Sequence, residues 1–325
     1  MLECASRFWE NQSDYHKASL LSFGERFSAL WITHAIQSYC ANCNMVLPED
    51  IPLRTTNESL NATVEFSTIN MAKLKVKFSG RFTVVPGFYG INERNEVALF
   101  GRGGSDYTAA VIAKLLHAES LNFYKDSGGY RTADPKMVQQ CFPIGELSHH
   151  EAQEMARCGS KLLHYATLDP LLNSKTRLFI FHIANPTLPE SVILSGGLSA
   201  PHIKSIVCDD SSLNSFNKTH SVDTVSISLI GNRLHKIPNI VDAVKQWVHT
   251  VEVLLQSNVQ FKNSSVITFS VLKRDKILTL QIIHKNLFES KIHAFSKSNG
   301  FHFHPSMPEP HNGIRFPING FTYRG

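Results

Sequence analysis

The chain has 325 residues, 42% of them hydrophobic and 18% charged, and a formal net charge of +5. That composition is ordinary for a folded globular protein, and the length allows two domains with a substantial core. The basic residues are dispersed, with no basic stripe interleaved with aromatics, which argues against a nucleic-acid partner. No apolar run approaches a membrane span and the N-terminus shows no secretory pattern, so no membrane partner is expected.

Residues 20–38 are predicted to form a helix, with apolar residues at helical spacing around Phe27, Leu30, Ile32 and Ile36. Leu74-Lys75-Val76-Lys77-Phe78 and Phe82-Thr83-Val84-Val85 look like short strands. Val97-Ala98-Leu99-Phe100 is strand-like and runs into a glycine-rich turn, followed by a helix over 107–119. Ser148 and Glu151 stand at capping-box spacing, so a helix is predicted from there to about Leu163. Residues 178–183 resemble a buried strand. Strands alternating with helices imply an α/β sandwich with a largely parallel central sheet.

The composition shifts near Leu194. Residues 195–221 are polar, contain glycine and proline, and are expected to be a linker. Val225, Ile227 and Leu229 then alternate as a strand, and Pro238 opens a helix whose apolar face is Ile240, Val244, Trp247, Val248 and Val251. A hairpin around Asn263-Ser264, a helix through Ile277, Leu280, Ile283 and Leu287, and a strand at 292–295 complete a β-α-β-β-α-β order, ferredoxin-like. The expected division is a first domain at 1–194, a linker at 195–221, a second domain at 222–296 and an extension at 297–325. His302, His304 and His311 lie in that extension among prolines and glycines, where a flexible tail is favoured over a metal site.

The turn Gly101-Arg102-Gly103-Gly104-Ser105-Asp106 carries the chemistry. A glycine-rich turn entering a helix offers backbone N–H groups and the positive helix end to an anion. Arg102 adds a planar fork suited to carboxylate or phosphate, and Asp106 an oxygen able to hold Mg²⁺ or orient a phosphoryl group. The six cysteines include a lone Cys40-x-x-Cys43 with no second pair, so free thiols are expected, as in a reducing cytoplasm.

Further blocks recur in order around this turn. They are Gly24-Glu25-Arg26-Phe27-Ser28, Val85-Pro86-Gly87-Phe88-Tyr89-Gly90, the strip from Lys125 through Thr132-Ala133-Asp134-Pro135-Lys136, Leu147-Ser148-His149-His150-Glu151-Ala152, and Gly159-Ser160-Lys161-Leu162-Leu163-His164. Over roughly residues 19–194 the chain resembles the aspartokinases, members of the amino acid kinases that carry ACT regulatory modules. The resemblance implies transfer of the ATP γ-phosphate, with Mg²⁺, to the side-chain carboxylate of L-aspartate, the first step towards lysine, threonine, methionine and diaminopimelate.

By that resemblance Glu25 contacts the substrate ammonium, Arg102 grips a substrate carboxylate, Ser28 adds a substrate contact, and Arg102 with Asp106 forms the catalytic set. Lys125, Asp126, Gly129, Tyr130, Asp134, Lys136 and Lys161 fall on the family's nucleotide-binding positions. Lys125, Ser127 and Gly128 depart from the family pattern TDVDGVxTADPR, and Tyr165 and Ala166 from its GAKVLHP block. The family's KFGG segment and its lysine have no counterpart in this sequence. The resemblance further implies an ACT-like module taking an effector amino acid, lysine or threonine, and a homodimer formed through residues 222–290. Two alternatives stay open: a non-catalytic homologue that modulates a complete kinase subunit, and a sensor whose kinase-like part is a scaffold.

Overall fold

The computed structural model describes residues 12–51, 53–78, 80–196, 200–210, 223–249 and 259–289. Helix α1 (Asp14–Tyr39) begins at Ser13, whose side chain accepts from the His16 N–H, and is longer than predicted. Its buried face is made of small residues, Ala18, Ser22, Ala29 and Thr33. Phe27, Leu30 and Ile32, the positions on which the helical pattern rested, are exposed, as are Phe23 and Trp31. Periodicity therefore found the helix but not the side it buries. Ala18 packs with Tyr89, Ile91 and Leu99, and small side chains let α1 lie close to those strands.

Strand β1 (Cys43–Met45) comes next, and then helix α2 (Met71–Lys77), where the alternation at 74–78 had suggested a strand. Within it Leu74 is fully buried and Val76 is exposed, and the Phe78 N–H closes a helical bond onto the Leu74 carbonyl. One buried contact per turn mimics a period of two over so short a segment. Strand β2 (Phe82–Val84) pairs parallel with β1. Strands β3 (Tyr89–Ile91) and β4 (Val97–Leu99) form an antiparallel hairpin. Helix α3 (Gly104–Leu115) follows directly on the glycine turn, starting earlier than predicted.

A four-stranded sheet comprises β5 (Ser120–Lys125), β6 (Glu146–Ser148), β7 (Arg177–His182) and β8 (Asn185–Leu194) in the order β5-β7-β8-β6. β5–β7 and β6–β8 pair parallel, but β7 and β8 form an antiparallel hairpin, so the described sheet is mixed rather than largely parallel. Pro186 and Pro189 hide β8 from a strand pattern, and the β7–β8 register slips near Pro189. Helix α4 (His149–Arg157) has the expected capping box, Ser148 Oγ accepting from the Glu151 N–H while Glu151 accepts from the Ser148 N–H. It stops short of Leu163 because Gly159 turns the chain at φ 106°. A single turn, α5 (Tyr165–Leu168), follows.

The stretch expected as a linker contributes a strand, β9 (His202–Asp209). It pairs antiparallel with β10 (Thr224–Asn232); helix α6 (Ile240–His249), β11 (Gln260–Asn263), β12 (Val266–Leu272) and helix α7 (Lys276–His284) follow, α7 ending in a π-turn over Lys285–Glu289. The sheet order is β11-β12-β10-β9, antiparallel throughout. β9 thus takes the edge beside β10. The strand predicted at 292–295 and the extension at 297–325 lie outside the described residues, as does Val251.

Ile227, Leu229, Val244, Val248, Ile267, Phe269, Leu280 and Ile283 form one core, which Ala133 and Val138 of the earlier unit also enter. A buried polar joint ties the two units together. Glu151 accepts from His202 Nε2 at 2.9 Å and from Lys204 Nζ at 3.1 Å, and Lys204 also donates to the Glu146 carbonyl. The cysteines among the described residues are free thiols, and no helix there is long and apolar enough to cross a membrane.

Candidate active site at the start of helix α3

Gly101 and Gly103 both have positive φ, 70° and 73°. A Cβ at Gly101 would come 2.3 Å from Asn61 Oδ1, and one at Gly103 would come 2.7 Å from His164 Cβ. Glycine is therefore required at both places by backbone shape and by space. Between them Arg102 projects with its side chain exposed. Gly103 caps α3 without a side-chain bond, which leaves the first helical N–H groups and the positive helix end at the turn.

Helix α1 brings Glu25 to this turn, where Ser105 Oγ donates to Glu25 Oε1 at 2.9 Å. Ser28, one helical turn along on α1, is exposed. Arg26 of the same block turns the other way, pairing with Glu49 and lying 4.5 Å over the Tyr89 ring, while Tyr89 donates to Glu49. This clamp fixes α1 against β3 and so sets where Glu25 reaches.

Asp106, in the first turn of α3, accepts from Lys125 Nζ at 2.6 Å, both side chains being mostly buried. His164 packs against Gly103; burial and then the nearby Arg102 charge hold its ring below the usual histidine range, so it is neutral at pH 7. The turn thus gathers Glu25, Arg102, Ser105, Asp106, Lys125 and His164. These side chains carry both signs of charge around the helix end, an arrangement suited to a zwitterion carrying extra negative charge.

The strip after β5 leads to a second feature, a cavity of about 250 Å³. Gly129, Tyr130, Asp134, Lys136 and Lys161 of the predicted nucleotide set line it, together with Ser205, Cys208 and Asp210 from β9 and its end. Lys125 does not line it but turns to Asp106, and Asp126 is exposed on the surface. The Tyr130 ring is a core residue rather than a surface platform. Its hydroxyl is pushed above the usual tyrosine range by burial and secondarily by the Asp106 charge.

The wall is held by bonds that no local motif announces. Glu190 Oε2 accepts the Gly129 N–H at 2.8 Å, Ser191 Oγ accepts the Tyr130 N–H at 2.9 Å, and the Ile206 N–H donates to the Thr132 carbonyl. At the mouth Lys276 donates to Asp210 at 2.7 Å, and that bond keeps the Asp210 carboxyl below the usual range. Of the residues not foreseen, Ser105 lay inside the quoted turn. Glu190, Asp210 and Lys276 carried no spacing by which to find them.

The family model of the amino acid kinase family matches residues 3–182. Among curated proteins, an aspartokinase of Rickettsia prowazekii is 32% identical over 201 residues, covering 61% of this chain and 44% of that protein. The lysine-sensitive aspartokinase 3 of Escherichia coli is 28% identical over 211 residues, covering 62% and 46%. The chain thus spans less than half the length of these relatives. Among solved structures, E. coli aspartokinase III in complex with aspartate and ADP (R-state) superposes with a TM-score of 0.70 at 20% identity, over 86% of this chain and 77% of that one. At that identity the superposition speaks for the fold, and the glycine turn with its helix lies inside the segment matched by the family model. A match across more than half of the sequence places this chain in the amino acid kinase family.

Proposed function

We propose that the chain acts as an aspartate kinase, moving the γ-phosphoryl group of ATP to the side-chain carboxylate of L-aspartate. The observation that carries this reading is the convergence of Glu25, Arg102 and Asp106 at the start of α3, with Glu25 bonded to Ser105 across 80 positions of sequence. Glu25 offers a carboxylate to the substrate ammonium. Arg102 offers a two-pronged donor to a substrate carboxylate, and the helix end stabilises the same anion.

In the reaction a side-chain carboxylate oxygen of aspartate bonds to the γ-phosphorus, the bond from that phosphorus to the β–γ bridging oxygen breaks, and ADP leaves. Such transfer asks the protein for positioning and charge neutralisation rather than covalent chemistry. The cavity beside Lys136 and Lys161 receives the nucleotide, with both ammonium groups near the phosphates. The described residues hold no cluster of three or more acidic, histidine or cysteine side chains able to hold a metal. Mg²⁺ would be held by the phosphates of its nucleotide with one or two protein carboxylates, Asp106 being the carboxylate at the turn, and would neutralise charge on the transferring phosphoryl group. The Lys125–Asp106 pair joins the two halves, one residue at the end of β5 and the other in α3.

The sheet of β9–β12 with α6 and α7 serves as an ACT-type regulatory module for an effector amino acid, lysine or threonine. The module's strand–helix order supports this reading, and so does the lysine sensitivity in one relative's name. Phosphoryl transfer to aspartate, trapped as the hydroxamate, tests the kinase reading, with calorimetric titration of L-aspartate and MgADP alongside. Turnover lost in Arg102→Ala is the expected result. Aspartate binding without any turnover in the unaltered chain would favour a non-catalytic subunit, and no binding of either ligand would reject the site.

A further inference from the structure

His284 ends helix α7 and is fully buried. Its Nε2 lies 2.9 Å from Thr132 Oγ1 and its Nδ1 2.9 Å from Glu289 Oε1. The ring stacks on Phe142 with planes 16° apart and tilts against Phe288. Thr132 belongs to the strip that forms the cavity wall, and its Oγ1 also accepts the Phe142 N–H at 2.8 Å. An ionised glutamate can only accept, so Nδ1 carries the proton. In the neutral ring Nε2 then accepts the Thr132 O–H. The hydroxyl is satisfied in both directions, between the end of the second unit and the backbone of the first.

The contacts around this bond point the same way. Gln281 Nε2 donates to the Met137 carbonyl at 3.2 Å, and Ala133 and Val138 share a core with Leu280, Ile283 and Phe288. Residues 133–137 line the cavity, and Leu280 of α7 lines it too. The wall segment is therefore gripped by α7 through Thr132 before it and through Met137 and Val138 at its far end. A buried hydroxyl left without its partner would move to find another, and the wall would move with it.

We propose that His284 is a positioning residue for nucleotide recognition: through Thr132 it holds wall 133–137 in the shape that receives the nucleotide. Nucleotide affinity then depends on the conformation of α7. This inference rests on the nucleotide reading of the cavity given above.

The test uses the full chain, with MgADP and L-aspartate titrated by calorimetry and amide exchange followed on peptides covering 129–142. His284→Leu keeps the packing against the two phenylalanines and removes the acceptor. It should weaken MgADP about tenfold, the size expected for one unsatisfied buried hydroxyl, while aspartate affinity stays within about twofold. His284→Gln places an amide near the Nε2 position and should recover most of the loss. Combining His284→Leu with Thr132→Val should cost clearly less than the sum of the two single changes, since the bond between them is lost in each. Exchange across 129–142 should quicken in His284→Leu, more than in β5 or β7. Unaltered MgADP affinity with unaltered exchange in the strip overturns the proposal, and so does an equal loss for both ligands with exchange raised everywhere. If the unaltered chain takes up no MgADP, it is the cavity reading that fails. Exchange in the strip then decides alone: a local rise in His284→Leu supports the positioning, and no change overturns it.

Discussion

The Ser105 hydroxyl donates to Glu25 Oε1 at 2.9 Å, and so fastens the middle of helix α1 to the first turn of α3. The bond holds one arm of the proposed aspartate site on the other. Ser105→Ala should leave the fold intact, since the hydroxyl is exposed, and weaken L-aspartate about fivefold, in line with about 1 kcal/mol for one hydrogen bond. Calorimetric titration of the variant checks this, and MgADP affinity serves as the control that should not move.

Lys125 is expected to matter through Asp106 rather than through the cavity. Lys125→Met removes the partner of a mostly buried carboxylate, whose charge the positive end of α3 still favours. A stability loss of about 1 kcal/mol is therefore expected, above the common value for exposed pairs. Urea unfolding midpoints of the variant and the unaltered chain measure it.

Glu151 makes a pH prediction. Burial alone would raise its pKa, but the hydrogen bond from His202, the Lys204 charge and the Ser148 N–H overcome that and bring it to about 2. Its folded value thus lies below its unfolded one. The stabilisation is present above the unfolded carboxylate range, near pH 4.5, and is lost as the pH falls from there towards about 2. At most about 3 kcal/mol is involved at pH 7. The gap in melting temperature between the unaltered chain and Glu151→Gln should be wide at pH 6 and shrink to roughly a quarter of that by pH 2.5; a gap constant with pH would contradict it.

Assembly follows from the second sheet. All four residues of β11 are exposed, and among the described residues the outer edge of β11 has no neighbouring strand. An open edge with exposed Phe261 invites pairing with another copy. A homodimer through the sheet and helices of 222–290 is expected by light scattering at micromolar concentration. Phe261→Lys, placing a charge on that edge, should shift the mass towards the monomer.

The turn at 101–106 was legible because its requirements are local. Two glycines with positive φ, a strand before and a helix after make one short motif, and the capping box at Ser148 and Glu151 is equally short-range. Helix α1 was legible as a helix for the same reason, since its 26 residues hold no proline and a single glycine, Gly24, whose local cost the rest of the helix outweighs. Its buried face was not, because what α1 packs against, Tyr89 and Leu99, wants small residues and leaves Phe23 and Trp31 outside.

The sequence by itself determined the backbone shape of the glycine turn, the run of strand, helix, hairpin and helix between 224 and 284, and which residue types could meet an anion. Only the tertiary structure decided that β7 and β8 pair antiparallel, that β9 leaves the expected linker to edge the second sheet, and that Lys125 faces Asp106 instead of the cavity. The same holds for Glu190 on Gly129 and His284 on Thr132, the latter 152 positions apart. Turns and caps are governed by neighbours along the chain, whereas buried polar groups take whichever distant partner the closed core brings within about 3 Å.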